Sequence, residues 1–152
     1  MLFITDKKLI GRREEIDFPE LGLFKIDAKV DTGAHTTALH CHKITTYHHR
    51  RKLYVAFYLL DPGYPQYKDK RIKMPVTARR RIKSSSGEAE KRVIITTNIK
   101  AGGEKYPIEI SLTDRSKMEF PVLLGRKFLS RRFIVDVGHY NLLQKNLKKN
   151  KK

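Results

Sequence analysis

The stretch Phe24-Lys25-Ile26-Asp27-Ala28-Lys29-Val30-Asp31-Thr32-Gly33-Ala34-His35 decides how this chain is read. Phe24, Ile26, Ala28 and Val30 alternate with Lys25, Asp27 and Lys29, the period of a strand with one face on a core. The strand runs into Asp31-Thr32-Gly33, so it delivers a carboxylate to a turn with a hydroxyl beside it and a glycine behind it. Glycine permits a tight turn and a close backbone approach. The Thr32 hydroxyl is placed to lock that turn, and Asp31 is the group aimed at a ligand. Outward from this point, strands are predicted over residues 24–30, 53–60, 72–76, 92–99, 106–113, 120–124 and 132–137. Asp61-Pro62-Gly63, Ser84-Ser85-Ser86-Gly87, Ala101-Gly102-Gly103 and Thr113-Asp114-Arg115 punctuate them. Many short strands with frequent turns predict an all-β fold, a barrel or a sandwich, with one short helix over residues 126–130. Residues 1–144 read as one domain and residues 145–152 as a basic, disordered tail.

Asp-Thr-Gly at a strand end marks the aspartic proteases, although the same tripeptide also makes ordinary turns. A second motif bears on the choice. Phe120-Pro121-Val122-Leu123-Leu124-Gly125-Arg126-Lys127-Phe128-Leu129 is an apolar run ending in Gly-Arg, followed by a short helical pattern. In retropepsin-like proteases such a segment passes beside the catalytic turn, and the order here is the same. The chain resembles a bacterial family of retropepsin-like proteins long labelled ATP-dependent zinc proteases. The resemblance is carried by Ile10-Gly11-Arg12-Arg13-Glu14, Ala28 to Ala34, Thr36-Thr37-Ala38-Leu39-His40, Tyr106 to Thr113 and Leu123-Leu124-Gly125-Arg126. One position departs from it: where the family usually has arginine after Asp-Thr-Gly-Ala, this chain has His35.

The resemblance implies a retropepsin-like closed barrel and aspartic endopeptidase activity. Asp31, Thr32 and Gly33 would form the catalytic turn. Ala34, His35, Leu124 and Gly125 would border the substrate beside it, and Ser86 and Gly87 would cover it from a hairpin tip. An aspartic dyad needs two carboxylates sharing one proton. This chain has one Asp-Thr-Gly, and Ile134-Val135-Asp136-Val137-Gly138 lacks the threonine. The second carboxylate is therefore expected from a second copy, in a two-fold homodimer. The resemblance also implies the company of ATP-grasp glutamate ligases, which suits a glutamate-rich peptide substrate.

The formal charge of +17 attracts polyanions, and Arg79-Arg80-Arg81-Ile82-Lys83 concentrates part of it. A basic β-barrel that binds nucleic acid or an acidic partner without catalysis is the main competing reading, with nucleic acid not favoured because no RNA-binding signature appears. A zinc-dependent peptidase is the other. His35, His40, Cys41, His42, His48 and His49 crowd one segment, but there is no His-Glu-x-x-His, and His48-His49 runs into Arg50-Arg51-Lys52. No metal and no cofactor are expected. The single cysteine, Cys41, permits no intrachain disulfide and fits a reducing compartment. With neither a signal-peptide core nor a membrane-spanning run, a cytoplasmic protein is expected.

Overall fold

The computed structural model describes residues 6–83, 87–114 and 119–150. Its strands are β1 (Lys8–Gly11), β2 (Arg13–Phe18), β3 (Leu23–Val30), β4 (Thr37–His49), β5 (Lys52–Leu59), β6 (Arg71–Pro75), β7 (Ala78–Lys83), β8 (Ala89–Ala101), β9 (Glu104–Thr113), β10 (Val122–Leu124) and β11 (Phe133–Asp136). Two short helices, α1 (Arg126–Leu129) and α2 (Leu142–Asn150), complete the fold with a 3-10 turn at Pro19–Leu21. The architecture is all-β, as its sequence predicts. Pairings run from β10 through β3, β2, β8, β9 and β4 and back to β10, so the main sheet closes into a ring. β5 and β6 extend it from β4, and β7 is attached to β8. β1 and β11 form a separate two-stranded parallel sheet.

The core fills the ring. Ile16, Phe18, Ile26, Leu39, Ile95, Ile110, Val122 and Leu124 are all essentially without solvent exposure. Burial of this kind is the main force that holds such a domain. The β3 alternation is found at Ile26 and Ala28, which are buried, with Asp27 and Lys29 exposed. It fails at Phe24, which is 54% exposed, while Leu23 is buried. The cause is an irregularity in the β2–β3 register between Ile16 and Phe18. Opposite it Lys25 takes φ 53° and donates its N–H to Asp17 Oδ1 at 2.8 Å. A bulge of this kind turns the chain's outward and inward faces over.

The β8–β9 hairpin turns on Gly102 (φ 63°) and Gly103 (φ 82°), both in the left-handed region that glycine adopts without a steric penalty. Leu143 and Leu147 of α2 lie over these two glycines. That contact explains a correction. The chain from Lys145 was expected to be a disordered tail, but the helix continues to Asn150. Leu143 and Leu147, one turn apart, give the basic segment an apolar face to dock. Phe128, Phe133 and Tyr106 form a ring cluster with centroids 5.4–6.1 Å apart, which ties α1 and β11 to β9. Among the described residues no helix is long and apolar enough to cross a membrane.

Candidate functional site

β10 lies between β3, which it pairs in parallel, and β4, which it pairs antiparallel. The chain between β3 and β4 is the Asp31 turn, so the end of β10 sits directly against it. Asp31 N–H donates to Leu124 O (2.9 Å), Arg126 N–H to Ala34 O (2.8 Å) and Lys127 N–H to His35 O (2.9 Å). Gly125 N–H donates to Thr37 Oγ1 (3.1 Å), and Arg126 Nη1 donates to Thr32 O (2.8 Å). Leu124-Gly125-Arg126-Lys127 thus clasps residues 31–37 through three main-chain bonds and the side chains of Thr37 and Arg126. Within the turn, Gly33 N–H donates to Asp31 Oδ1 at 3.0 Å and Ala34 N–H to Asp31 O at 3.2 Å.

The sequence-predicted residues therefore divide. Asp31, Thr32, Gly33, Ala34, His35, Leu124 and Gly125 come together. Asp31 and Ala34 are half-buried, Thr32, Gly33 and His35 exposed, and Leu124 and Gly125 buried. Gly87 is exposed, with φ 90°, at the tip of the β7–β8 hairpin, and Ser86 lies outside the described residues. Two roles move. The hydroxyl that locks the clasp is that of Thr37, while Thr32 contributes its carbonyl. The close backbone approach belongs to Gly125: a Cβ there would stand 2.7 Å from Thr36 C and 2.8 Å from His35 O. Gly33 lies outside the left-handed region, and its Cβ would meet only Asp31 Oδ1, at 3.2 Å.

The Asp-x-Gly turn itself is not unique. Asp61 Oδ1 accepts from Gly63 N–H at 2.8 Å and Asp136 Oδ1 from Gly138 N–H at 3.0 Å, the same local geometry as Asp31. Asp31 is set apart by the clasp. Asp61 and Asp136 are each engaged by a histidine, Asp61 by His40 Nε2 (2.6 Å) and Asp136 by His139 Nδ1 (2.8 Å). Burial works to raise the Asp61 carboxyl, but the Gly63 N–H and His40 outweigh it and hold it below the ordinary carboxylate range.

Of the histidine-rich segment, His40, Cys41, His42, His48 and His49 lie on β4, while His35 is in the bend before it. His40 is fully buried, between Asp61 and, at 3.7 Å from Nδ1, Asp114. His42 Nδ1 donates to Leu60 O (2.5 Å), and its ring stacks on Tyr58. Cys41 is buried, and burial together with the charge of Asp114 pushes its thiol well above its ordinary pKa. The arginine run is split by strand alternation. Arg79, Arg81 and Lys83 are exposed, while Arg80 turns to Glu109 (2.7 Å).

Sequence reasoning missed the part played by Gly11 and Glu14. A Cβ on Gly11 would stand 2.6 Å from both His139 O and Tyr140 Cα, so the chain passes there with no room for a side chain. Glu14, 1% exposed, accepts from the N–H groups of Gly11 (2.7 Å), Leu142 (3.0 Å) and Leu143 (3.2 Å). The signal was the segment Ile10 to Glu14, which carried the family resemblance without an evident role.

A Legionella pneumophila protein of unknown function, Lpg0085, has the same fold, with a TM-score of 0.72 at 24% identity over 90% of this chain and 98% of that one. Two curated relatives share sequence with most of this chain. One from Shewanella pealeana is 37% identical over 131 residues, 86% of this chain and 29% of its own length. One from Desulfotalea psychrophila is 38% identical over 130 residues, 86% of this chain and 28% of its own. Both are named probable alpha-L-glutamate ligase, so the chain spans less than a third of the curated relatives it matches. These names correct the expected activity. A homodimeric aspartic endopeptidase would hydrolyse a peptide bond, whereas the curated relatives are named for forming a bond to glutamate. The same names support neither a nucleic-acid-binding barrel nor a zinc peptidase. The RimB-like family, described as Retropepsin-like aspartic endopeptidase RimB, matches residues 9–146, and the chain belongs to that family.

Proposed function

We propose that this chain is a glutamyl-binding module serving α-L-glutamate ligation. The observation that carries the reading is the 37% identity, over 86% of the chain, to a protein named probable alpha-L-glutamate ligase. Two physical features agree with it. A chain with a formal charge of +17 draws glutamate-rich segments by long-range attraction. The Asp31 turn also presents a half-buried carboxylate whose Oδ1 is already held by Gly33 N–H. Its Oδ2 is suited to accept from the ammonium group of a glutamate, while Arg126, whose Nη1 donates to Thr32 O, stands beside the turn to receive a carboxylate.

Fluorescence anisotropy with a labelled tetraglutamate bearing a free amino terminus tests this. Binding should be saturable at low salt and weaken steeply between 50 and 500 mM salt, because exposed charges are screened over roughly 8–10 Å at physiological ionic strength. Asp31→Asn should weaken it about tenfold, equivalent to about 1.4 kcal/mol, and N-acetylation of the peptide should have the same effect on the wild type alone. Equal affinity for tetraglutamine would overturn the reading.

We extend the reading to a two-copy assembly. Leu9 and Ile134, partners across β1 and β11, are 47% and 43% exposed, and Val137 beyond them is 75% exposed. An outward apolar face on a two-stranded sheet suits a second copy. Sedimentation equilibrium should give a dimer that dissociates in Ile134→Lys. A wild-type protein that stays monomeric at high concentration and moderate salt would remove this part.

A further inference from the structure

The cleft bounded by β8, β9 and α1 contains charged groups that the Asp31 turn does not use. It is open, has a volume of about 200 Å³, and is lined by Thr96, Pro107, Ile108, Glu109, Lys127, Phe128 and Arg132. That is smaller than the ~300–1,000 Å³ of sites for drug-sized ligands, and suits a single side chain. Glu109 stands in its wall with both carboxylate oxygens engaged: Oε1 by Arg80 Nη1 at 2.7 Å and Oε2 by Lys127 Nζ at 2.8 Å. The Lys127 contact holds the Glu109 carboxyl below its ordinary range against the effect of burial, with Arg80 adding to it. The lining thus holds one anion, Glu109, and two cations, Lys127 and Arg132, while Arg80 engages Glu109 from outside the lining.

Arg132 is fixed in place. Its Nη1 donates to Phe128 O at 2.9 Å, and its guanidinium carbon lies 5.5 Å from the ring centroids of both Tyr106 and Phe128. A guanidinium has five N–H donors, so this bond leaves a planar fork to offer, the geometry that suits a carboxylate. The cleft floor is apolar, since Ile108 and Phe128 are almost fully buried. The site therefore pairs excess positive charge at the rim with hydrocarbon beneath.

We propose that this cleft binds the side-chain carboxylate of a glutamyl residue, its methylenes over Ile108 and Phe128 and its carboxylate between Lys127 and Arg132. Glu109 is the positioning residue that holds Lys127 to the rim. The inference rests on the glutamyl reading above and adds a second contact point to it. α1 connects the two points, because Arg126 reaches Thr32 and the next residue, Lys127, reaches Glu109.

The experiment is an amide-resolved NMR titration of the full chain with unlabelled tetraglutamate, repeated with Lys127→Gln, Arg132→Gln and Arg132→Lys. Expected are saturable shifts at Ile108, Glu109 and Phe128, a loss of affinity of at least fivefold in each glutamine variant, and a smaller loss in Arg132→Lys, which keeps the charge. Inorganic phosphate at equal concentration should not compete. Wild-type affinity in both glutamine variants, with shifts confined to residues 31–37, would overturn the cleft and leave the glutamyl reading standing. Shifts in the cleft that persist in Asp31→Asn with undiminished affinity would do the reverse, leaving the cleft and removing Asp31. Competition by phosphate would show a general anion site and overturn the glutamyl assignment, and no saturable binding by the wild type would overturn both.

Discussion

Gly125→Ala should lower the melting temperature by roughly 5–10 °C, corresponding to about 2–3 kcal/mol of overpacking at this chain length. The added methyl would stand 2.7–2.9 Å from the backbone of His35 and Thr36. Backbone cannot rotate aside as a side-chain tip can, so the strand end and the Asp31 turn must separate. Gly125 itself has extended backbone (φ −93°, ψ 171°), so the cost is one of space and not of conformation. Separation would stretch the bonds from Gly125, Arg126 and Lys127 to residues 34–37, and the Asp31 amide, which donates to Leu124 O, should exchange with solvent faster. Gly33→Ala is the control. Its Cβ would meet only a carboxylate oxygen, at 3.2 Å, and its φ is not positive, so a change within about 1 kcal/mol is expected. Thermal unfolding of both variants checks the pair. A Gly125→Ala protein as stable as the wild type, or a Gly33→Ala protein less stable than Gly125→Ala, would show that the clasp is not what holds the turn.

That contrast also indicates how far the sequence could be read. Asp31-Thr32-Gly33 and Leu124-Gly125 were each legible from a residue pattern, a strand ending in a turn and an apolar run ending in Gly-Arg, and the family resemblance paired them. Which glycine is spatially constrained was not legible, because that depends on which chain lies opposite. β9, with Tyr106, Ile108, Ile110 and Leu112 at every second position, could be read directly, and β5 could be read as a short continuous apolar run. β4 could not: Thr37 to Cys41 are five consecutive buried residues, packed between β10 and β9, and they show no period of two. Its histidines read as polar, yet His40 is buried because Asp61 and Asp114 meet it there, and both lie far from it in sequence. Phe24 was misplaced because a bulge reverses the faces of a strand without leaving a mark in its hydrophobic pattern. α2 was hidden by its lysines, and only the contact of Leu143 and Leu147 with the β8–β9 turn shows why the helix is held.

Glu14→Ala should cost about 3–5 kcal/mol, the range for removing one partner of a buried charged network, and about 10 °C in melting temperature. The carboxylate is essentially inaccessible to water and accepts three main-chain N–H groups. Two of these, from Leu142 and Leu143, open α2, whose first N–H groups have no partner within the helix. The third, from Gly11, closes β1, which pairs in parallel with β11. One side chain therefore ties the start of the domain to its last helix, and a carboxylate at a helix N-terminus is further favoured by the peptide dipoles. Alanine leaves all three donors without an acceptor, each costing about 1–3 kcal/mol where water cannot reach. Glutamine is the sharper test. It keeps the volume and one carbonyl oxygen but turns an NH₂ toward a backbone N–H, so Glu14→Gln should lie between wild type and alanine. Hydrogen exchange separates this from general loosening: the amides of Gly11, Leu142 and Leu143 should lose protection first, while those of β8 and β9 keep it. Uniform loss of protection across the sheet, or a Glu14→Ala protein that melts within about 2 °C of wild type, would mean that the buried carboxylate does not join the two ends. Because α2 lies over the β8–β9 turn, and β9 carries Glu109, the same variant reports on binding. Tetraglutamate affinity that survives the fraying of α2 would place both proposed contact points on the closed sheet and α1 alone.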